Sequence, residues 1–183
     1  SNTEIGQALK LLGFGLKTIA DAMDDGVTRR DGSSLNYVSV AVALKNSGHQ
    51  PTDRQLADLL WDEGATETDI GQALKYVGYS LDSIADALAQ GVTKSEGLKL
   101  SYTSVAKGLW HSGYQFDTQK LADLMRDSGA TQAELGQALN YAMGRDLYQI
   151  AADIKFGVTG NNGKPLNVVS IGHALWHSGL AIN

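Results

Sequence analysis

Cysteine is absent from this chain of 183 residues, which excludes disulfide bonds and thiolate chemistry. An excess of basic residues is absent as well, because 15 lysines and arginines stand against 20 aspartates and glutamates, giving a net charge of −5. This balance provides no overall attraction to nucleic acid or to an anionic membrane, although a local basic patch is compatible with it. No apolar run approaches the roughly 20 residues of a membrane-spanning helix.

The N-terminal stretch SNTEIGQ has neither the basic nor the apolar region of a signal peptide, so none is expected. At 43% apolar and 19% charged residues, the composition is that of an ordinary soluble globular protein. These features leave the compartment open, with the cytoplasm favoured.

An internal repeat is the main feature of the sequence. The related segments EIGQALKLLG, DIGQALKYVG and ELGQALNYAM begin at Glu4, Asp69 and Glu134, so their starts differ by 65 residues in both cases (69 − 4 and 134 − 69). The first two copies run without a gap and are identical at about half of their positions, whereas the third gains one residue near Gly144. We therefore divide the chain into unit 1 (4–68), unit 2 (69–133) and unit 3 (134–183) of one continuous repeat domain.

Apolar spacing and capping residues predict four short helices in each unit. The first helices are expected near 4–13, 69–78 and 134–143, the second near 16–25, 82–90 and 147–156, the third near 37–47, 102–112 and 168–178, and the fourth near 53–63 and 117–128. Unit 3 stops before a fourth helix. The segment from Val77 also resembles the segment from His111, which indicates two related halves within a unit.

The link between the second and third helices differs from the other, shorter links. Its three versions are GVTRRDGSSLN, GVTKSEGLKLS and GVTGNNGKPLN, a pattern that predicts a small β-hairpin or an ordered loop. The expected fold class is therefore all-α, with tandem units of four short helices stacked side by side as a solenoid-like rod, because one unit is too small to bury enough surface alone.

The segment IADALAQGVTKSEGLKLSYTSVAKGLWHSG resembles the C-terminal helix-turn-helix segment of large serine recombinases. The matching positions are Ile84, Ala85, Leu88, Gly91, Thr93, Gly97, Ser101, Ser104 and Val105. The likeness recurs from Ile19 and from Ile150 and covers roughly half of each unit. It implies a local helix-turn-helix fold and, if it extends to function, a third helix that enters the DNA major groove.

The third helix of each unit has one face that varies between copies while its buried positions stay apolar. This variation predicts a surface that presents side chains to a partner. The predicted partner-binding residues are Lys45, Asn46, Lys107, Trp110, His111, His173, Trp176 and His177 on the third helices, with Arg29 and Arg30 in the hairpin. The tryptophans have two interpretations: they anchor a partner, or they fill the groove between stacked units, which is favoured.

Chemistry is not expected at these residues. His173 and His177 stand at i and i+4, but a zinc site needs three or four ligands, so an exposed or interface histidine pair is expected and no metal. The Ala-Asp pairs are interpreted as solvated or helix-bridging carboxylates, namely Asp21, Asp58, Asp86 and Asp123. The Ser-His pair of WHSG has no third group to orient a base.

The sequence therefore predicts a non-enzymatic interaction module without cofactors that binds another macromolecule. A protein is the favoured partner, and an array of helix-turn-helix-like units that binds nucleic acid is the alternative. No membrane association is expected.

Overall fold

The computed structural model describes residues 1–29, 32–93, 97–159 and 164–181. Within these ranges the chain forms eleven α-helices and no β-strand, which confirms the all-α class. The helices are α1 (Asn2–Leu11), α2 (Leu16–Asp24), α3 (Tyr37–Asn46), α4 (Asp53–Asp62), α5 (Glu67–Tyr76), α6 (Leu81–Asp86), α7 (Tyr102–Trp110), α8 (Thr118–Asp127), α9 (Gln132–Met143), α10 (Leu147–Gly157) and α11 (Val168–Trp176).

Capping explains where the first helix of each unit begins. Thr66 accepts a hydrogen bond from the Asp69 backbone, and the Asp69 carboxylate in turn accepts one from the Thr66 backbone. Ser1 and Thr131 form the same reciprocal pair with the acidic residue three positions later. These helices therefore begin two residues before the predicted starts, because the acidic residue lies at the third helical position and not at the first.

Two details of the helices are not evident from the sequence pattern. Thr52, and not Asp53, is the N-cap of α4. The Thr52 hydroxyl accepts a hydrogen bond from the Gln55 backbone, and the Gln55 side-chain oxygen accepts one from the Thr52 backbone. The second helix of unit 2 is not regular to its end either, because α6 passes into a π-helical turn at Ala87–Gly91. At Gly91 an added Cβ would lie only 2.8 Å from the Cα of Arg54 on α4, so the close approach of the two backbones requires glycine.

The helices form two layers. The first and third helices of the units make one layer, in which α1 packs on α3, α3 on α5, α5 on α7, α7 on α9 and α9 on α11. The second and fourth helices lie behind them, with α4 against the π-helical turn and α8 against α10. One continuous apolar core lies between the layers and runs through all three units.

A recurring glycine brings the two front helices of each unit into contact. A Cβ added at Gly71 would lie 2.3 Å from the Gly108 carbonyl oxygen, and one at Gly136 would lie 2.0 Å from that of Ala174. The neighbouring Gln72 side chain donates to the His111 carbonyl at the end of α7, at 3.1 Å. In units 1 and 2 the Gly-Gln pair of the GQAL segment thus joins two helices and satisfies a carbonyl at the end of the third helix that has no partner within its own helix.

The links predicted as hairpins or ordered loops contain one isolated antiparallel bridge each, between Thr28 and Ser34, Thr93 and Lys99, and Thr159 and Pro165. In the described ranges none of these bridges extends into a strand. No helix within those ranges is long and apolar enough to cross a membrane.

Candidate functional site

The predicted partner-binding residues lie on the outer side of the layer formed by the first and third helices. Seven of the eight on the third helices are exposed, and Lys45 is half-buried. Arg29 is exposed in the first link, and Arg30 lies outside the described residues. The structure thus places these residues along α3, α7 and α11, where two junctions between units can be compared.

The junction between units 1 and 2 is closed by a polar network. The ammonium group of Lys45 donates to the Tyr79 hydroxyl at 2.7 Å and lies 3.9 Å from the centre of the Tyr79 ring. The Tyr79 hydroxyl donates in turn to the Pro51 carbonyl oxygen at 2.7 Å. Lys45 is therefore engaged within the protein, and its amine joins α3 to the segment that follows α5.

The junction between units 2 and 3 is open at the equivalent place. Trp110 occupies the position of Lys45, and Arg145 occupies that of Tyr79 once the extra residue of unit 3 is taken into account. The Trp110 ring stands edge-on to Phe116, with ring centres 5.7 Å apart and planes at 88°. A cavity of about 420 Å³ lies here, and its lining residues are Trp110, His111, Thr118, Ala142, Met143 and Arg145. We call it the junction pocket.

Two buried side chains hold Arg145 at the wall of the junction pocket. The Arg145 Nε lies 3.1 Å from Asp153 Oδ2, and the guanidinium also donates to the Thr118 hydroxyl. The Thr118 hydroxyl donates to Asp153 Oδ1 at 2.8 Å, and the two residues are 4% and 5% exposed. The geometry fixes a guanidinium group in the wall of a pocket that Trp110 also lines, an arrangement suited to a ligand with a carboxylate next to an apolar group.

Trp110 and Trp176 occupy equivalent positions with different surroundings. Trp110 is 39% exposed and contacts Phe116, while its pocket includes Ala142, Met143 and Arg145 from unit 3. Trp110 therefore lines the groove between units 2 and 3 without closing it, and both interpretations of the tryptophans stay predictions. Trp176 is 72% exposed on α11.

His173 and His177 form an exposed pair on α11. Their ring centres are 4.5 Å apart, with the planes at 51°. Across the part of the chain that the structure describes, no three His, Cys, Asp or Glu side chains lie where they could share a metal ion. The pair is thus a polar surface feature of unit 3.

The carboxylates of the Ala-Asp pairs connect neighbouring elements. Asp86 accepts two hydrogen bonds from Arg54, from Nε at 2.6 Å and Nη2 at 2.7 Å, which joins α6 to α4. Asp58 accepts a hydrogen bond from the Thr93 backbone at 2.9 Å and joins α4 to the link between the second and third helices of unit 2. Asp86 thus bridges two helices, as predicted, whereas Asp58 joins a helix to a link.

Asp21 belongs to a different cluster, in which its carboxyl group meets that of Glu63. The Glu63 side chain is 8% exposed, and burial together with the Asp21 contact raises its pKa from 4.5 to about 7. The hydrogen bond with Glu63 and the Lys17 ammonium 3.3 Å away lower the pKa of Asp21. The pKa values of these two carboxyl groups near the end of α4 are therefore shifted in opposite directions.

Sequence reasoning missed the residues that make the junction pocket polar, namely Thr118, Arg145 and Asp153. The sequence did carry a signal for them. Arg145 replaces an aromatic residue found in units 1 and 2, and Asp153 stands where the other units have alanine. Departures of one copy from the repeat were the useful indication, beside the variable face of the third helices.

No protein-family model matches this chain, and no curated protein or solved structure is significantly similar to it. The resemblance to serine recombinase segments therefore stays a prediction.

Proposed function

We propose that this chain is a non-enzymatic helical-repeat module that binds another protein. In this proposal the three units stack as a solenoid-like array, and the outer side of α3, α7 and α11 is the binding surface. The serial packing of these helices with α1, α5 and α9 supports the stacking, because each helix lies between its neighbours in the layer.

The junction pocket is the observation that carries the proposal. The same place between units 1 and 2 is filled by Tyr79, whose hydroxyl is bonded on both sides. Between units 2 and 3 it is a cavity beside Trp110 and Arg145. Tryptophan and arginine are the residue types most enriched at the energetic centres of protein interfaces, particularly where a pocket allows both to be desolvated.

The lining indicates the kind of segment that would bind. Met143 and Trp110 offer an apolar, adaptable wall, while Arg145 and His111 offer donors for a carboxylate. The partner we propose is a protein segment with an aromatic or aliphatic side chain next to an aspartate or glutamate. The two exposed histidines of α11 extend the same surface.

Selection from a random peptide display library tests the proposal, with the intact chain as bait. We expect recovered peptides to combine an apolar residue with an acidic one and to lose affinity about tenfold or more against Trp110→Ala, since the central aromatic contact is removed. Arg145→Gln should select against the acidic residue specifically. Tyr76→Ala is the matched control, because Tyr76 is an aromatic residue 71% exposed on α5 away from the pocket.

Two results would overturn the proposal. One is a library that yields no peptide with measurable affinity for the intact chain. The other is a set of peptides that bind Trp110→Ala and Tyr76→Ala equally well, with both variants folded by circular dichroism.

Nucleic-acid binding is the second candidate, and two exposed cations favour it. Lys107 on α7 and Arg29 in the first link both face solvent. Binding through them would depend on phosphate contacts and would weaken steeply with salt. A gel-shift series with duplex DNA over a salt gradient tests this, and no shift at low salt would eliminate it.

A further inference from the structure

Large apolar side chains are exposed at both ends of the helical layer. At one end, Leu11, Leu12 and Phe14 are exposed on α1 and just after it, and Leu12 is 74% exposed. At the other end, Val169 and Trp176 are exposed on α11. We call these surfaces the α1 face and the α11 face. Exposed patches of this kind on a folded chain mark interaction sites.

The repeat shows what covers the α11 face in the inner units. Gly172 of α11 is exposed, whereas Ala41 of α3 and Ala106 of α7, at the same position, are fully buried. The same holds for the apolar position three residues later, where Leu175 is half-buried and its counterparts have no exposed surface. In units 1 and 2 the third helix is covered by the first helix of the next unit, α5 on α3 and α9 on α7, and by the fourth helix of its own unit, α4 and α8.

Residues of the α1 face are likewise more exposed than their counterparts in the other units. Ala8 is exposed, but Ala73 of α5 and Ala138 of α9 are fully buried at the equivalent position. Ile5 is half-buried, although Ile70 and Leu135 are fully buried. Thus α1 presents the surface with which α5 and α9 contact the third helix of the preceding unit.

Side chains at each junction are paired by position. The residue near the end of the third helix meets the residue that follows the next first helix: Lys45 meets Tyr79, and Trp110 shares the junction pocket with Arg145. By the same rule Trp176 would meet the residue equivalent to Tyr79 and Arg145, which is Phe14. Both are aromatic and both are exposed, so they are matched in chemistry as well as in position.

We propose that two copies of this chain associate head to tail, with the α1 face of one copy on the α11 face of the other. The contact repeats the internal packing of α5 on α3 and of α9 on α7. Because the two faces are different surfaces, each copy keeps one face free after binding. The association is heterologous and grows into short chains of copies rather than closing as a symmetric dimer.

Sedimentation velocity on the intact chain, from low to high micromolar concentration, tests for this growth. We expect a concentration-dependent series of species for the natural sequence. Trp176→Asp and Leu12→Asp should each be monomeric alone, with the dissociation constant raised about tenfold or more, because each buries an unpaired carboxylate in the contact. Both positions are more than 70% exposed in the single chain, at 72% and 74%, so the fold should be unaffected.

A mixture of these two variants distinguishes head-to-tail pairing from other modes of association. The Trp176→Asp chain keeps a competent α1 face, and the Leu12→Asp chain keeps a competent α11 face. An equimolar mixture should therefore form dimers and nothing larger, with the affinity of the natural sequence. Tyr76→Asp, which places the same charge on an exposed aromatic position of α5, should associate like the natural sequence.

Three results would overturn the proposal. A monomer at all concentrations would show that the α1 face and the α11 face do not bind each other. A mixture that stays monomeric would exclude head-to-tail pairing, and symmetric dimers that survive both substitutions would place the contact elsewhere. Circular dichroism and thermal melting of each variant separate these results from loss of fold.

Discussion

The two junctions between units are built from the same positions and reach opposite results. Between units 1 and 2, Lys45 and Tyr79 form a bonded network that ends on the Pro51 carbonyl. Between units 2 and 3, Trp110 and Arg145 border a cavity of about 420 Å³. In the first case the polar groups satisfy each other, and in the second the arginine is instead held from behind by Asp153.

This difference shows that the packing of the helices and the chemistry of the junction surface are specified by separate residues. We call the buried residues that recur in the units the packing frame. Buried glycines, alanines and leucines recur at equivalent positions of the units, and α9 packs on α7 as α5 packs on α3. The residues at the junction surface differ between units, as Lys45 and Trp110 do. A repeat can thus close one junction and open the next without a change of fold.

The largest effect should come from the shared frame. Alanine at Gly71 or at Gly136 would place a Cβ 2.3 or 2.0 Å from a backbone oxygen, so we expect each to lose about 2–3 kcal/mol in the free energy of unfolding. Urea denaturation measures this loss. Gly172→Ala is the control, because no atom lies within 4 Å of the added Cβ and helix propensity should stabilise the variant by about 1 kcal/mol. If Gly136→Ala kept its stability while Gly71→Ala lost it, unit 3 would not share the close packing of unit 2.

The next largest loss of stability should come from removing Asp153, the buried carboxylate that contacts Arg145. Asp153→Ala removes the buried carboxylate that contacts the guanidinium, and we expect a loss of about 2 kcal/mol because a charge and a hydroxyl lose their partner. The double variant Arg145→Tyr with Asp153→Ala recreates the residues of the first junction, Tyr79 and Ala87. It should regain most of the stability in urea denaturation and lose peptide binding. Equal stability of the single and double variants would contradict the coupling of the two side chains.

Much of this frame can be read from the sequence. Capping residues and apolar spacing placed the helices correctly to within a few residues, since these signals are local and each unit repeats them. Two details were not evident from these signals. Asp53 competes with Thr52 for the same cap, and the bond with Gln55 decides in favour of Thr52. The π-helical turn after α6 is set by its contact with α4, which no local pattern contains.

The junction pocket was less predictable, for a physical reason. Trp110 and His111 were named from their variation between units, but Thr118 and Asp153 lie 35 residues apart in the sequence and meet only in the packed structure. A substitution such as alanine to Asp153 is informative only when its partner is known. The variable face of α7 was therefore visible in the sequence, while the cavity beside it was not.

A smaller effect should follow from opening the first junction. Tyr79→Phe removes the hydroxyl that bonds Lys45 and Pro51, and we expect a loss of about 1 kcal/mol in thermal or urea unfolding, as is usual for a partly buried hydrogen bond. Tyr76→Phe serves as the control because Tyr76 is an exposed tyrosine at the end of α5, three residues before Tyr79. The freed Lys45 should then behave as a surface amine and react faster with an acylating reagent. Unchanged Lys45 reactivity would mean that the hydroxyl does not restrain it.

The smallest effect concerns a carboxyl group that only unit 1 contains near its junction. Tyr37 and Tyr102 donate to the backbone carbonyls of Glu63 and Ser128 at equivalent positions, but only Glu63 adds an acid. Its pKa is raised from 4.5 to about 7, so the folded state favours the protonated form and loses stability as the pH rises through that interval. Glu63→Gln keeps a donor for Asp21 without the charge. It should raise the melting temperature by about 1–3 °C near pH 8 and by less below pH 4.5. An equal shift at both pH values would show that the gain comes from packing and not from the ionisation of Glu63.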